Sequence, residues 1–157
     1  MNAKVHKENI PLRPVCSMID TPECCLAKFL DQIIKPYIPN QHMLFSTKHF
    51  IDKLQDYLIT PGDRMVSFDV VSLFTNVPLD YTINLITNCI YDSASHPRFS
   101  RTVFKNMMKI ATQGYFIFND ILYQQIDGVI MGSPLGPTMA NFFLADMEKK
   151  WMSDVND

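Results

Sequence analysis

The sequence predicts an α+β fold in which helices pack on a small, mostly antiparallel sheet. Five stretches space their apolar residues at helical intervals, whereas two others are rich in β-branched and aromatic residues. Of the 157 residues, 47% are hydrophobic, which permits a sizeable core and excludes a wholly disordered chain.

The first third of the chain predicts a loop followed by two helices. Residues 1–20 are expected to be extended or loop, because their prolines lack backbone donors. The first helix is predicted to begin at Pro22 with Thr21 as its N-cap. The second follows Ser46 and Thr47 and is expected to end at Pro61.

The stretch Met65–Phe74 is nearly continuous in its apolar character and rich in β-branched and aromatic residues. Such a composition is typical of a strand that is buried on both faces. We therefore predict a buried strand here.

Two helices, a hairpin and a last helix are predicted after the break at Pro78. Asp80 and Ser100 are the expected N-caps of the two helices. In Tyr115–Gln125, an Asn-Asp pair separates two strand-like runs, which is typical of a hairpin with a two-residue turn. The last helix follows the Gly- and Pro-rich stretch 128–137, and its expected apolar face consists of Ala140, Phe143, Leu144, Met147 and Trp151.

Composition and charge restrict the function. A net charge of −2 argues against nucleic-acid binding on charge alone. The chain has no apolar run long enough to span a membrane, and its charged first residues, which lack an apolar core segment, are not expected to act as a secretory signal. The cysteines show no CxxC spacing and the histidines have no acidic partner at ligand spacing, so we expect reduced thiols rather than a zinc site.

Asp69 is the most unusual residue of the predicted buried strand. An ionised carboxylate in such a strand costs several kcal/mol unless a positive group meets it. One interpretation is a strand-end Asp that is satisfied by backbone donors. The other is a metal ligand, since a carboxylate on a rigid strand suits Mg²⁺ that also holds phosphate oxygens.

Two further segments have both an ordinary and a functional interpretation. Gly132, Ser133 and Pro134 predict a tight turn before a helix, against which a phosphate or base pair could lie; ordinary chain reversal is the alternative. In the N-terminal segment, cations lie within ten residues of one another and form either a solvated edge or a groove for a triphosphate or a nucleic-acid backbone: Lys4, His6, Lys7 and Arg13.

Taken in this order, the segments resemble a reverse transcriptase, and more narrowly that of Penelope-like retroelements. KVHK followed by PLRPVCS resembles the first fingers motif, SFDVVSLFTNVPLD resembles motif A, and YQQIDGVIMGSPLGPTMANFFLADMEK resembles motif B with its preceding strand. The resemblance spans nearly the whole chain. It implies a partial reverse transcriptase domain over 1–157, with a fingers-like part at about 1–60 and a partial palm at 61–157 of a right-hand polymerase.

The resemblance also implies roles for single residues. Asp69 matches the motif A aspartate that binds both catalytic Mg²⁺ ions, and the carbonyl of Val70 matches a further oxygen ligand. Phe74 matches the bulky residue under the nucleotide sugar that excludes a 2′-hydroxyl. Arg13 matches an arginine against the triphosphate, with Lys4 and Lys7 as weaker candidates. The residues that match the motif B turn against the templating pair are Gly132, Ser133 and Pro134.

The implied activity is RNA-directed DNA polymerisation by a retrotransposable element, with two Mg²⁺ or Mn²⁺ ions in the intact enzyme. The implied partners are an RNA template, a DNA primer and dNTPs, and the implied location is the nucleus. The family's motif C, an aromatic-x-Asp-Asp hairpin, does not occur in the 157 residues. We therefore expect a fragment truncated before motif C that is inactive alone.

Two alternatives stay open. The chain could be a non-enzymatic remnant, or a captured module that binds nucleic acid or a protein. A small-molecule enzyme on an unrelated α+β fold would need a complete acid–base or nucleophile set, and none is recognisable from spacing.

Overall fold

The computed structural model describes residues 2–3, 12–13, 15, 17–19, 21–40, 43–58 and 60–155. Six α-helices and two pairs of antiparallel strands occur in this part of the chain, which confirms the α+β class. The helices are α1 (Pro22–Ile34), α2 (Thr47–Gln55), α3 (Leu73–Asn76), α4 (Leu79–Tyr91), α5 (Arg101–Ala111) and α6 (Gly136–Val155). The strands are β1 (Asn2–Ala3), β2 (Leu12–Arg13), β3 (Tyr115–Phe118) and β4 (Ile121–Gln124).

The hydrophobic core lies between α1, α4, α5 and α6. Each of these helices contributes large side chains that are fully buried, among them Leu30, Ile34, Ile86, Ile90, Phe104, Met108, Met139 and Phe142. The sequence had predicted helices that pack on a sheet, but no residue of β3 or β4 belongs to this core, and the helices pack on one another instead. Because α1 shares the core with α4–α6, residues from both the predicted fingers-like and palm parts stabilise it.

Three helices begin with a side-chain N-cap, which confirms the caps that were predicted at Thr21 and Ser100. In each, a hydroxyl oxygen of the N-cap accepts a hydrogen bond from the backbone N–H three residues further on. The pairs are Thr21 with Cys24 at 3.2 Å, Ser46 with His49 at 3.1 Å, and Ser100 with Val103 at 3.3 Å.

Two predicted helix boundaries are wrong. α2 ends at Gln55, well before Pro61. α4 begins at Leu79 with Pro78 at the N-cap position, whereas Asp80 lies within its first turn. The physical reason for the second difference is a cap from far along the chain, since the carboxylate of Asp127 accepts the Leu79 N–H at 3.1 Å.

The predicted buried strand Met65–Phe74 is also wrong. Residues 65–70 have no regular secondary structure and are exposed, with Phe68 at 93% exposure, and residues 73–76 form α3. Ser72 adopts a left-handed conformation with φ of 54°, which interrupts an extended chain. A strand that is apolar on both faces needs other parts of the chain to cover both faces. Within the described residues, no strand pairs with the stretch Met65–Phe74.

The predicted hairpin is confirmed. β3 and β4 pair antiparallel with Phe118 opposite Ile121, and Asn119 and Asp120 have φ of 50° and 59°. Positive φ at both central positions is the requirement of a type I′ turn. The last helix is also confirmed as α6, but its predicted apolar face is only partly right, because Trp151 is exposed while Phe142 is buried.

The helices were also compared with the length and apolar character of a membrane span. Within the described ranges, no helix combines the length and the apolar character that are needed to cross a bilayer.

Candidate functional site

Three segments that sequence analysis selected independently meet in the structure. The backbone of Val15 forms a parallel bridge with Met131. The carbonyl oxygen of Phe74 accepts a hydrogen bond from the Val129 N–H at 2.6 Å. The stretch 128–136 therefore lies between the N-terminal segment and the segment that carries Asp69 and Phe74.

Two glycines permit this close approach. At Gly128, which has φ of 77°, a Cβ atom would lie 2.8 Å from the carbonyl oxygen of Thr75 and 3.0 Å from that of Phe74. At Gly136, a Cβ atom would lie 3.3 Å from the Phe74 ring. The juxtaposition thus depends on residues without side chains, both of them in the segment that resembles motif B.

The turn of this segment is held by its own hydrogen bonds. The Ser133 N–H donates to the carbonyl of Ile130 at 3.1 Å, and the Ser133 hydroxyl oxygen accepts the Leu135 N–H at 3.3 Å. Ser133 is buried, whereas Gly132 is exposed and Pro134 is half-buried. Among these three predicted contact residues, Gly132 and Pro134 therefore present the accessible surface of the turn.

Phe74 lies between the core and the surface. Its side chain is half-buried and packs against the main core cluster, while its ring approaches Gly136. Its backbone carbonyl is fixed by Val129.

Asp69 and Val70 precede this anchored region and are exposed in the chain stretch without regular structure. Within the described ranges, no three or more His, Cys, Asp or Glu side chains lie close enough together to hold a metal ion. Asp69 and the Val70 carbonyl supply only part of the oxygen set that Mg²⁺ needs. These residues alone do not fit a two-ion site.

The predicted cations are described only in part. Arg13 lies in β2, where its backbone pairs opposite Asn2. Lys4 and Lys7 lie outside the described residues. The neighbouring Val15 connects the N-terminal segment to the site through its bridge with Met131.

Sequence reasoning missed Asp127, which organises the base of the site. Its carboxylate accepts the N–H of Leu79 at 3.1 Å and that of Gly128 at 2.8 Å. The Gln125 side-chain amide donates to the Asp127 carbonyl at 3.0 Å. Asp127 thus joins the start of α4 to Gly128, the glycine that lies against the backbone of Thr75. The Asp-Gly dipeptide was visible as a turn signal, but no local pattern indicates an acceptor for a helix 48 residues away.

A second polar cluster joins α4 to α6. The Tyr81 hydroxyl donates to Asp146, and Lys150 pairs with the same carboxylate at 2.8 Å and lies 4.8 Å from the centre of the Tyr81 ring. Burial raises the pKa of Asp146, but the hydrogen bonds from Lys150 and Tyr81 and the lysine charge together bring it below its ordinary value. The hydrogen bonds that Lys150 donates to Asp146 and to the Tyr81 hydroxyl oxygen raise the pKa of Lys150 to about 12.

Comparison of the chain with protein-family models, with curated proteins and with solved structures finds no match.

Proposed function

We propose that these 157 residues are the part of a reverse transcriptase that carries motifs A and B, in a retroelement related to the Penelope-like group. The intact enzyme would copy an RNA template into DNA from a DNA primer and dNTPs. The proposal is supported by the order of three motif-like segments along the chain and by their convergence in space.

The observation that carries the proposal is the contact between Phe74 and the stretch 128–136. A nucleotide pocket of this kind needs an aromatic side chain beside the deoxyribose and an accessible backbone turn beside the base pair. Phe74 is half-buried against Gly136, and Gly132 of the turn is exposed. The Phe74–Val129 hydrogen bond keeps these two elements together.

Divalent metal ions are part of the proposal, although the described residues provide an incomplete ligand set. Asp69 would supply one carboxylate and Val70 one carbonyl oxygen, and further carboxylates would come from an aromatic-x-Asp-Asp motif that these residues lack. When bound, Mg²⁺ or Mn²⁺ would polarise phosphate oxygens. With this partial set, we expect weak metal and nucleotide binding and no polymerase activity from the 157 residues alone.

Primer extension on an RNA template, in Mg²⁺ and in Mn²⁺, tests the proposal. The 157-residue chain is expected to give no product, whereas a longer polypeptide that continues it through an aromatic-x-Asp-Asp hairpin is expected to extend the primer. Clear incorporation by the 157 residues would show that the missing carboxylates are not needed. An inactive but folded longer polypeptide would contradict the polymerase proposal.

A second candidate function is a non-enzymatic binding module. It is favoured by the exposure of the loop around Asp69, where large apolar side chains such as Phe68 face solvent. A titration with RNA, with the same concentration of duplex DNA as control, distinguishes the two: submicromolar RNA affinity in the chain alone favours a binding module, because the polymerase proposal expects weak binding.

A further inference from the structure

The β3–β4 hairpin is exposed on both faces and carries almost no charge. Ile117 and Leu122 on one face are 71% and 65% exposed, and Phe118 and Ile121 on the other face are also exposed. Asp120 in the turn is the one charged residue in the sequence from Tyr115 to Gln125. A two-stranded hairpin is marginally stable by itself in water, and proteins usually protect such edges with charge, proline or a covering element.

The hydrogen-bond pattern shows which backbone groups are directed outward. Gln125 donates to the carbonyl of Gly114 at 2.9 Å, so this pair is of the hydrogen-bonded kind. Bonded and non-bonded pairs alternate along an antiparallel ladder. The outward-directed N–H and C=O groups therefore belong to the non-bonded pairs, Tyr115 with Gln124 and Ile117 with Leu122.

We infer that the outer edge of β3 pairs with the same edge of a second copy of this chain. Antiparallel pairing about a twofold axis at Phe116 would place Tyr115 of one copy opposite Ile117 of the other. All the outward backbone groups of these two residues would then be hydrogen-bonded, and the two hairpins would form one continuous sheet. This surface lies outside the proposed nucleotide site and does not depend on that proposed function.

A second copy suits this edge because the pairing is complementary to itself. No residue of β3 is charged, so the twofold arrangement places no like charges opposite each other. Phe116 would face its own counterpart, and aromatic cross-strand pairs stabilise sheets.

The outer edge of β4 is less available than that of β3. Gln124, one of its two outward-directed residues, lines a cavity of about 460 Å³ whose other walls include residues of α4 and α5. Neither Tyr115 nor Ile117 belongs to the walls of this cavity, and Tyr115 is 52% exposed. A strand pairing of this length lies at the small end of specific interfaces, so the expected dimer is weak, with a Kd of about 1–100 µM.

Sedimentation equilibrium of the 157-residue chain over a concentration series that brackets this range tests the inference. Ile117→Pro removes an outward N–H without removing a bond of the hairpin, since Ile117 belongs to a non-bonded pair. Leu122→Pro does the same on β4 and is the matched control. We expect a reversible wild-type dimer, a Kd that rises about tenfold or more in Ile117→Pro, and a Kd within about twofold of wild type in Leu122→Pro.

Several results would overturn the inference. A wild-type chain that stays monomeric, an Ile117→Pro variant that dimerises normally, or a Leu122→Pro variant that does not dimerise would each do so. A monomer whose Ile117 amide is strongly protected from hydrogen exchange would show that another part of the same chain covers the edge. If circular dichroism shows that either proline variant is unfolded, Ile117→Lys and Leu122→Lys provide the same comparison with the same expected outcomes.

Discussion

Replacement of Gly128 by alanine should separate the segment that resembles motif B from the segment that resembles motif A. The added Cβ would lie 2.8 Å from the Thr75 carbonyl oxygen and 2.9 Å from the Thr75 Cα. Both are backbone atoms, which cannot rotate away as a flexible side chain can. The two segments must therefore move apart, and the 2.6 Å hydrogen bond from Val129 to Phe74 is the first interaction at risk.

The expected loss of stability in Gly128→Ala has two contributions. A non-glycine residue in an unfavourable backbone conformation costs about 1–3 kcal/mol, which applies to Gly128 because its φ is 77°. Loss of the Phe74–Val129 hydrogen bond and of the packing around it adds about 1–2 kcal/mol. We expect the total to lower the free energy of unfolding by about 2–5 kcal/mol.

Gly62 provides the matched control. It also has a positive φ, of 119°, but an added Cβ there would have no atom within 4 Å. Gly62→Ala therefore has a backbone penalty without a collision. Urea unfolding of the two variants is the assay, and Gly128→Ala should exceed Gly62→Ala in lost stability by about 1–2 kcal/mol. Equal losses, within about 0.5 kcal/mol, would refute the close contact between the two segments.

Three further predictions concern Asp127, Phe74 and Asp146. Asp127→Ala removes the acceptor at the start of α4 and should lower the free energy of unfolding by about 1–2 kcal/mol in denaturant titrations, whereas an unchanged value would contradict the long-range cap. In an active longer polypeptide, Phe74→Ala should raise ribonucleotide relative to deoxyribonucleotide incorporation, and the exposed Phe45→Ala should not; unchanged selectivity would remove the role assigned to Phe74. Because the pKa of Asp146 is lowered in the folded chain from 3.8, its pairing with Lys150 stabilises the fold above pH 3.8 and is lost as the pH falls further. The difference in urea midpoint between wild type and Asp146→Asn should therefore be constant near neutral pH and shrink below pH 3.8, and a difference that persists in acid would count against the pairing.

Helices and the hairpin were predictable because their signals are local. A hydroxyl at Thr21, Ser46 or Ser100 accepts a hydrogen bond from the backbone N–H three residues away, and this interaction depends only on residues that are close in sequence. The Asn-Asp pair at 119–120 tolerates the positive φ that the hairpin turn requires. These features need no knowledge of the rest of the chain.

The stretch Met65–Phe74 was not predictable in the same way. Its composition favours a strand, but a strand forms only when other backbone satisfies its hydrogen bonds, and no described strand does so here. The same limitation applies to the start of α4, where an acceptor at Asp127 replaces the local cap that Asp80 was expected to provide.

The candidate site was partly predictable. The residue types of the Gly132–Pro134 turn and of Phe74 indicated positions of interest, but no spacing rule showed that the two segments touch. That contact depends on Gly128 and Gly136, whose importance is visible only when the atoms that a Cβ would meet are known. Asp69 stays a prediction, since its carboxylate is exposed and no described group completes a metal site around it.

Loss of activity on substitution of Asp69 tests the central claim most directly. Primer extension on an RNA template should be measured in a longer polypeptide that includes an aromatic-x-Asp-Asp hairpin, with Asp69→Asn compared to Asp52→Asn on α2, which is also exposed. Removal of one metal-binding carboxylate should reduce the rate by about a thousandfold or more, which corresponds to about 4 kcal/mol of transition-state stabilisation. Asp52→Asn should retain the wild-type rate. Full activity in Asp69→Asn, with the fold intact, would contradict the proposal that this chain is part of a reverse transcriptase.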